Sequence, residues 1–331
     1  MMRTLAVSAF TVRQSFYGSA MTKRFSISAL MAAVALMMIS CGNNDDLIGL
    51  AGQNNVSPGE AEAIYQSAKL ADEKGKTEKA VKLYEELTDD FPTAGSAAQA
   101  RFRQAELLEQ QGDPVKAFEA YQKFLTRYRG SGLYSEALKR QVKIAHGAAD
   151  GEVKTSFLGL TRNLSTQKTV EMLEKVRDNA PRSTVSAKAQ FTIAKLYEKD
   201  GKPKEAVVAY RKLVRDQPDS SYAPEALFNV GMILTREADS GNRNQATLDL
   251  ANEAFADYLL QYPGHSKNGE ARRLMKSLKK RALDRFLGIA EFYDRTGELE
   301  SAKIYYRDVV KRTKSGSAHE QAKARLKELG E

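Results

Sequence analysis

The chain has 331 residues, of which 28% are charged, and it contains no Trp, 8 Pro and 1 Cys. A composition rich in Ala, Leu, Lys and Glu favours a helical repeat protein, and a single cysteine excludes an intrachain disulfide. The formal net charge is +9, but four basic residues lie within the first 24 positions. The rest of the chain therefore carries a net charge of +5, and its basic and acidic residues are interspersed. That balance favours a solvated surface over nucleic-acid binding.

The first forty residues have the pattern of a secretory signal peptide. Lys23 and Arg24 follow Met21, and residues 25–39 form an apolar stretch that is too short for a transmembrane helix. Residues 1–20 precede Met21 and are interpreted as an upstream mis-start. We therefore predict a signal peptide over residues 1–40.

The single cysteine directly follows the apolar stretch. Met38-Ile39-Ser40-Cys41 resembles the lipobox of bacterial lipoproteins. The resemblance implies cleavage before Cys41, covalent lipid (palmitate among the acyl chains) on its sulfur and its new amino group, and, because Gly42 follows, delivery to the outer membrane. The alternative is a free thiol after an ordinary signal peptide, or a short buried apolar helix. Several acyl chains anchor a protein stably.

The polar residues 41–57 are predicted to form a flexible, lipidated tether. A coil of this length has a root-mean-square reach of roughly 23 Å. The remainder of the chain would therefore stay close to the membrane surface.

From residue 58 onward one motif recurs. A small residue is followed by Gly after seven positions, by Ala after twelve and by Tyr after sixteen. Two small residues let antiparallel helices approach closely, and Gly accepts the conformation that ends the first helix. The motif predicts stacked helical hairpins. Its four copies are Ala68-Gly75-Ala80-Tyr84, Ala105-Gly112-Ala117-Tyr121, Ala194-Gly201-Ala206-Tyr210 and Ala290-Gly297-Ala302-Tyr306.

Apolar spacing divides residues 58–331 into about six helix pairs followed by a capping helix, and no stretch is predicted as a strand. The fold class is therefore an all-α solenoid, and its recurring pattern of Ala, Gly, Ala, Tyr or Phe, and Pro resembles the tetratricopeptide repeat. The fifth pair has Gly231 at the close-contact place, and the sixth opens with a long helix over residues 266–296. Residues 317–329 form the cap, whose many charges face water.

The third pair carries an insertion at residues 150–167 with an apolar run, Phe157-Leu-Gly-Leu160. Insertions between repeat helices project from one face of a solenoid. The apolar run either pins the insertion to the body or contacts a partner or lipid.

The sequence offers no residues for catalysis or for a cofactor. His146, His265 and His319 are scattered and lack a second ligand at metal spacing, and no Gly-rich phosphate loop occurs. We predict a protein that is not an enzyme and binds neither a cofactor nor a metal.

The order of these features resembles the BamD family of lipid-anchored tetratricopeptide-repeat proteins. The resemblance rests on the lipobox, the regular pairs, the Phe157-Leu-Gly-Leu160 insertion, the segment Ala251-Asn-Glu-Ala-Phe-Ala-Asp-Tyr258 and the Phe292-Tyr293 motif with Tyr305-Tyr306. It implies a non-enzymatic scaffold of the β-barrel assembly machinery at the periplasmic face of the bacterial outer membrane. The implied partners are the barrel-inserting subunit, other lipoproteins of the machine, and C-terminal segments of unfolded barrel proteins.

Two sets of residues are candidates for binding these partners. In each of these repeats, the aromatic residue three positions before the close-contact alanine and the charged residue one position after that alanine would line a peptide groove. Helix packing explains the aromatic residues equally well. A basic stretch on the sixth pair is a candidate docking surface, with a solvated face as the alternative. The groove set is Tyr65, Lys69, Phe102, Glu106, Phe191 and Lys195, and the docking set is Lys279, Lys280 and Arg281.

Two other functions remain open from sequence. One is a periplasmic repeat adaptor for the cell-division or peptidoglycan machinery. The other is a non-catalytic subunit of an envelope enzyme.

The lipobox makes a direct prediction. Replacing Cys41 by Ala removes the acylated sulfur, so the protein should move from the membrane pellet to the soluble periplasmic fraction in cell fractionation. A variant that stays membrane-bound with an uncleaved leader would exclude lipidation at Cys41.

Overall fold

The computed structural model describes residues 58–157, 160–240 and 245–331. The predicted leader, Cys41 and the tether lie outside these ranges. Within them the chain forms thirteen α-helices and two short strands. The first three pairs are α1 (Pro58–Glu73) with α2 (Thr77–Asp90), α3 (Ala97–Gln110) with α4 (Pro114–Arg127), and α5 (Tyr134–Asp150) with α6 (Thr166–Asn179). The next three pairs and the cap are α7 (Thr184–Lys199) with α8 (Pro203–Asp216), α9 (Ala223–Ser240) with α10 (Gln245–Gln261), α11 (Asn268–Arg295) with α12 (Leu299–Arg312), and α13 (Ser317–Glu328).

Turn chemistry sets the ends of the paired helices. In the second pair, Gly112 has φ of +77°, a left-handed conformation that an L side chain resists, and it separates α3 from α4. Pro114 opens α4, where its missing N–H is no loss, and the Asp113 side chain accepts a hydrogen bond from the Lys116 backbone N–H at 3.2 Å. The left-handed glycine and the opening proline return at Gly201 and Pro203 before α8, where the N-cap residue Lys202 makes no side-chain capping bond.

The close contacts predicted from the motif are confirmed. All eight alanines of the four copies are fully buried, and their tyrosines are at most 3% exposed. Alanine on both helices allows the backbones to approach, and the tyrosine one turn later fills the adjacent space. The predicted solenoid of six helix pairs with a capping helix is therefore the observed fold.

The fifth pair makes its close contact with glycine. A Cβ atom built on Gly231 of α9 would stand 2.7 Å from ring atoms of Phe255 on α10. Real side chains do not approach that closely, so the ring occupies the volume that a larger residue would need. The interpretation of Gly231 as the close-contact residue is confirmed.

The prediction that the chain contains no strand is wrong at the insertion. Strands β1 (Lys154–Phe157) and β2 (Leu160–Asn163) pair antiparallel, with Lys154 opposite Asn163 and Phe157 opposite Leu160. A connection of this length must satisfy its backbone groups, and a hairpin pairs them with each other. Residues 158 and 159 of the apolar run lie outside the described ranges, so the role of that run stays a prediction.

The long helix α11 belongs to two hydrophobic clusters. Ala271 and Leu278, in its first half, pack with α9 and α10 in one cluster. Ala290, in its second half, packs with α12 and α13 in another. The apolar face of α11 therefore changes direction along its length, which positions the cleft considered below.

A pair of glycine substitutions tests the packing of the fifth pair. Gly231→Ala should lower the thermal unfolding midpoint, because the new methyl group would overlap the Phe255 ring. The expected loss in the free energy of unfolding is about 1–3 kcal/mol. Circular dichroism during heating measures this.

Gly288→Ala is the matched control, because Gly288 lies within α11 with no heavy atom near its missing Cβ. It should leave the midpoint unchanged or raise it, because the higher helix propensity of alanine adds up to about 1 kcal/mol to the free energy of unfolding. Equal decreases in the two variants would contradict the close contact.

Candidate functional site

Successive pairs are joined by a recurring contact between a carboxylate and an arginine. Asp72 of α1 receives two hydrogen bonds from Arg103 of α3, at 2.7 and 3.1 Å. Asp294 of α11 receives two from Arg325 of α13, at 2.6 and 2.9 Å. The fork of the guanidinium matches the two carboxylate oxygens, which fixes the orientation as well as the distance of the two helices. We call each such contact a latch.

Two further latches follow the same rule. Glu109 of α3 accepts from Arg140 of α5 at 3.2 Å, and Glu198 of α7 pairs with Arg236 of α9. In all four cases the carboxylate lies four residues after the close-contact alanine of its own first helix. The arginine lies on the first helix that follows, or on the cap α13, which therefore occupies the place of one more repeat.

The motif tyrosine completes three of the latches. The hydroxyls of Tyr121, Tyr210 and Tyr306 donate to Glu109, Glu198 and Asp294, each at 3.1 Å. Burial, followed by the hydrogen bond to Asp294, raises the pKa of Tyr306 to about 12. The tyrosines are therefore neutral donors at physiological pH, and each links the interior of its pair to the joint with the next.

Polar contacts of another kind supplement the latch between the second and third pairs, and the latch is replaced in the fifth pair. Gln122 of α4, Gln141 of α5 and Asn179 of α6 form a cluster of amides, in which Asn179 donates to Gln122 at 2.7 Å and to Gln141 at 2.9 Å. In α9 the latch position is Thr235, whose hydroxyl donates to its own helix at the Gly231 carbonyl, at 2.8 Å. The joint between α9 and α11 is consequently built differently from its neighbours.

The predicted groove aromatics lie inside their own pairs. Phe102 and Phe191 are each 8% exposed, with ring centroids 5.8 Å from Tyr121 and 5.5 Å from Tyr210 respectively. Tyr65 is half-buried, and its hydroxyl donates to Gln99 at 3.1 Å. Burial of this kind is what helix packing requires. Peptide contact at these positions stays a prediction.

The charged members of the predicted groove differ in accessibility. Lys69 and Lys195 are exposed. Glu106 is half-buried and is held by Arg103 at 3.1 Å and Arg140 at 3.0 Å. The two lysines are therefore accessible to a peptide, whereas Glu106 belongs to a joint between pairs.

The predicted docking set is also divided. Lys279 and Lys280 are exposed on α11, but Arg281 forms an ion pair with Asp239 of α9. Arg281 therefore ties α11 to the preceding pair, and the two lysines provide the accessible charge.

The histidines have local partners. Nδ1 of His265 shares a hydrogen bond with the Tyr258 hydroxyl at 2.6 Å, and Nδ1 of His319 donates to the Thr313 carbonyl at 2.7 Å. Burial, and then the charge of Lys188, lower the pKa of His146. Across the three described ranges, no group of three or more His, Cys, Asp or Glu is arranged to hold a metal ion.

Sequence reasoning missed the latches, although a signal was present. The carboxylate is separated from its arginine by 31 residues in three latches and by 38 in the fourth. An acidic residue at a fixed place in the motif, followed at this interval by Arg, could have been found together with the alanines.

Two families match the sequence. The profile described as tetratricopeptide repeat matches residues 65–132, and the profile described as outer membrane lipoprotein matches residues 160–329, just over half of the chain. A comparison with curated proteins gave no significant match. Among the helices that the structure describes, none is long and apolar enough to cross a membrane.

Several solved structures of repeat proteins are similar at a low level. MamA is 16% identical over 59% of this chain and 94% of its own, with a TM-score of 0.29. PilF of Pseudomonas aeruginosa is 14% identical over 81% of this chain and 99% of its own, with a TM-score of 0.29. YrrB, described as having an unusual peptide-binding site, is 18% identical over 73% and 97%, with a TM-score of 0.29. Structural similarity at these TM-scores does not indicate a function.

Arg140 is the most connected residue of the joints, which makes it the sharpest test of them. It bonds Glu106, Glu109 and Glu136, at 3.0 to 3.2 Å, and lies 5.9 Å from the Phe102 ring centroid. Arg140→Gln leaves these carboxylates without their shared cation, so the urea concentration at the unfolding midpoint should fall. The expected loss in the free energy of unfolding is about 1–2 kcal/mol.

Two further variants control this prediction. Arg140→Lys keeps the charge but loses the fork and should be intermediate. Arg129→Gln removes a charge from an exposed site and should have no measurable effect. A midpoint as low for Arg129→Gln as for Arg140→Gln would show that net charge, rather than the joint, is responsible.

Proposed function

Because the chain belongs to the outer membrane lipoprotein family typified by BamD, we propose that it is a lipid-anchored scaffold of the machinery that inserts β-barrels into the outer membrane. The observation that carries the proposal is the family match over residues 160–329, which spans α6 to α13 and the second strand of the insertion. The N-terminal pairs add a tetratricopeptide-repeat match. Repeats of this kind present extended surfaces to other polypeptides.

The joints suit a scaffold. Latches, buried tyrosines and the amide cluster hold successive pairs in defined orientations, so surfaces on distant pairs keep a fixed relation to each other. A partner that contacts several pairs then binds without first ordering them, which avoids an entropic cost. The proposed role requires binding only, and no catalytic step is assigned to any residue.

We assign docking of the barrel-inserting subunit to the basic stretch of α11. Lys279 and Lys280 are exposed and adjacent. Charges on an accessible helix face steer an acidic partner and fix its register. Arg281, which is paired with Asp239, positions the helix that carries them.

We assign capture of C-terminal segments of unfolded barrel proteins to the first helices of the first, second and fourth pairs. Lys69 and Lys195 are the accessible charges there. Tyr65 offers its half-buried ring, whereas Phe102 and Phe191 shape the surface from beneath. The lipid on Cys41 would keep this surface at the membrane where the substrates are folded.

Docking is tested by charge reversal. Lys279→Glu with Lys280→Glu should abolish co-purification of the barrel-inserting subunit from detergent-solubilised membranes, since the new charges repel an acidic partner. Helicity should be unchanged because both side chains are exposed. Co-purification at the wild-type level would remove these lysines from the interface, and recovery of a division protein, a wall protein or an enzyme as the main partner would contradict the proposed function.

Substrate capture is tested with exposed residues, because truncating Phe102 would open a cavity and unfold its pair. Lys69→Gln with Lys195→Gln should weaken binding of a barrel protein's C-terminal peptide several-fold, as measured by fluorescence anisotropy. Lys79→Gln with Lys204→Gln, which neutralises exposed lysines of second helices, is the control and should bind like wild type. Equal affinities of the two double variants would place the peptide elsewhere.

A further inference from the structure

A cleft of about 880 Å³ lies where the fifth and sixth pairs meet. Its walls come from the end of α9, from α10, and from the second half of α11 with α12. Lining residues include Asp239, Arg285, Gly288, Ile289, Phe292 and Tyr305. The cleft is thus a feature of the joint that lacks the usual latch.

The cleft arises from the change of face along α11. Ala271, Leu274 and Leu278 recur at helical spacing and pack against α9 and α10. The same stripe continues, at steps of three and four residues, through Arg281, Arg285, Gly288 and Phe292. Along this second half the buried cluster uses a different stripe, with Leu287 and Ala290. The continuation of the first stripe therefore faces the cleft instead of a neighbouring helix.

One part of the cleft surface, at Ile289, Phe292, Tyr293 and Tyr305, is apolar and aromatic. Phe292 is 54% exposed, although large apolar side chains normally gain free energy from burial. Its ring contacts Tyr293, with centroids 5.6 Å apart, and Tyr293 stacks on Tyr305, also at 5.6 Å. Exposed large hydrophobic residues occur again in the same hairpin at Leu299 and Ile304. A concentration of this kind marks a contact site for another polypeptide.

The cleft also contains an unpaired cation. Nη1 of Arg285 is buried and has no hydrogen-bond partner among the described residues. A buried guanidinium nitrogen without an acceptor is costly, and a carboxylate is the acceptor that suits it best. Arg281, one turn away, is already paired with Asp239. Asp284 also lines the cleft, but Nη1 of Arg285 receives no acceptor from it, so an incoming carboxylate would supply the acceptor that this nitrogen lacks.

The surrounding helix favours the same occupant. Between residues 272 and 285, α11 carries seven basic residues and one acidic residue. Such a stretch attracts acidic segments and orients them before they bind.

We propose that this cleft binds a short segment of a partner protein in which a carboxylate stands next to a large apolar side chain. The carboxylate pairs with Arg285, and the apolar side chain lies on Phe292 against Ile289, above the opening left by Gly288. This goes beyond the proposed function, because neither residue belongs to the groove or docking sets, and Lys279 projects from a different face of α11.

A display library of random short peptides, selected on the full chain in detergent micelles, tests the proposal. Peptides recovered on the wild type should carry Asp or Glu beside Phe, Tyr, Trp, Leu or Ile. Their affinities are then measured by fluorescence anisotropy on matched variants. Arg285→Gln and Phe292→Ala should each weaken binding about tenfold, and Arg285→Lys should recover part of the loss.

Arg129→Gln is the control, because it removes the same charge from an exposed position that lies outside the basic stretch of α11, and the affinity of this variant for the peptides should match that of the wild type. Unchanged helicity and unfolding midpoints confirm that the variants are folded. Recovery of no peptides, of peptides without the acidic and apolar pairing, or of peptides that bind the Arg285 and Phe292 variants as tightly as wild type would overturn the proposal. Co-purification of the barrel-inserting subunit is measured separately, so failure of either hypothesis leaves the other standing.

Discussion

The whole array depends on the contact between a small residue of each first helix and its partner on the second. Ala105 and Ala117 are fully buried, as are their counterparts in the other copies of the motif. With larger side chains the two backbones would separate, and the tyrosine behind them would lose its packing. The fifth pair shows the same constraint more strongly, because the Phe255 ring occupies the space beside Gly231. Close approach within the pair is thus the condition for every contact made between pairs.

Successive pairs share buried apolar residues, which form one cluster from the second pair to the fifth, and polar contacts lie beside them. The same tyrosines connect these polar contacts to the pair interiors. Each of these hydroxyls donates to a carboxylate, and the arginine of the next first helix, or of the cap, pairs with the same carboxylate. Each ion pair alone contributes little at a surface. Their value lies in direction, since in the Asp72 and Asp294 latches the guanidinium binds both carboxylate oxygens and so fixes how the next pair, or the cap, is rotated. The cap α13 receives the last of these contacts and closes the series without another pair.

The joint between the fifth and sixth pairs departs from this rule, and the departure has consequences for function. Thr235 replaces the carboxylate, α11 divides its apolar surface between two clusters, and an aromatic cleft opens along the unused stripe. Local sequence rules hold in most of the array and are broken where a partner is proposed to bind. Sites of this kind are where functional demands compete with uniform packing.

The sequence by itself determined the helix pairs, their order, the long helix α11 and the cap, because alanine, glycine and tyrosine spacing acts within a single hairpin. From the sequence, candidate binding residues could be distinguished only partly from residues that pack the helices, since helical period alone does not tell whether Phe102 faces a ligand or its own pair. Tertiary structure decided that Phe102 and Phe191 are buried, that Arg281 is paired, that residues 154–157 and 160–163 pair as antiparallel strands, and that Arg285 faces a cleft. These outcomes depend on which side chains distant in sequence meet across a joint, and local spacing does not contain that information.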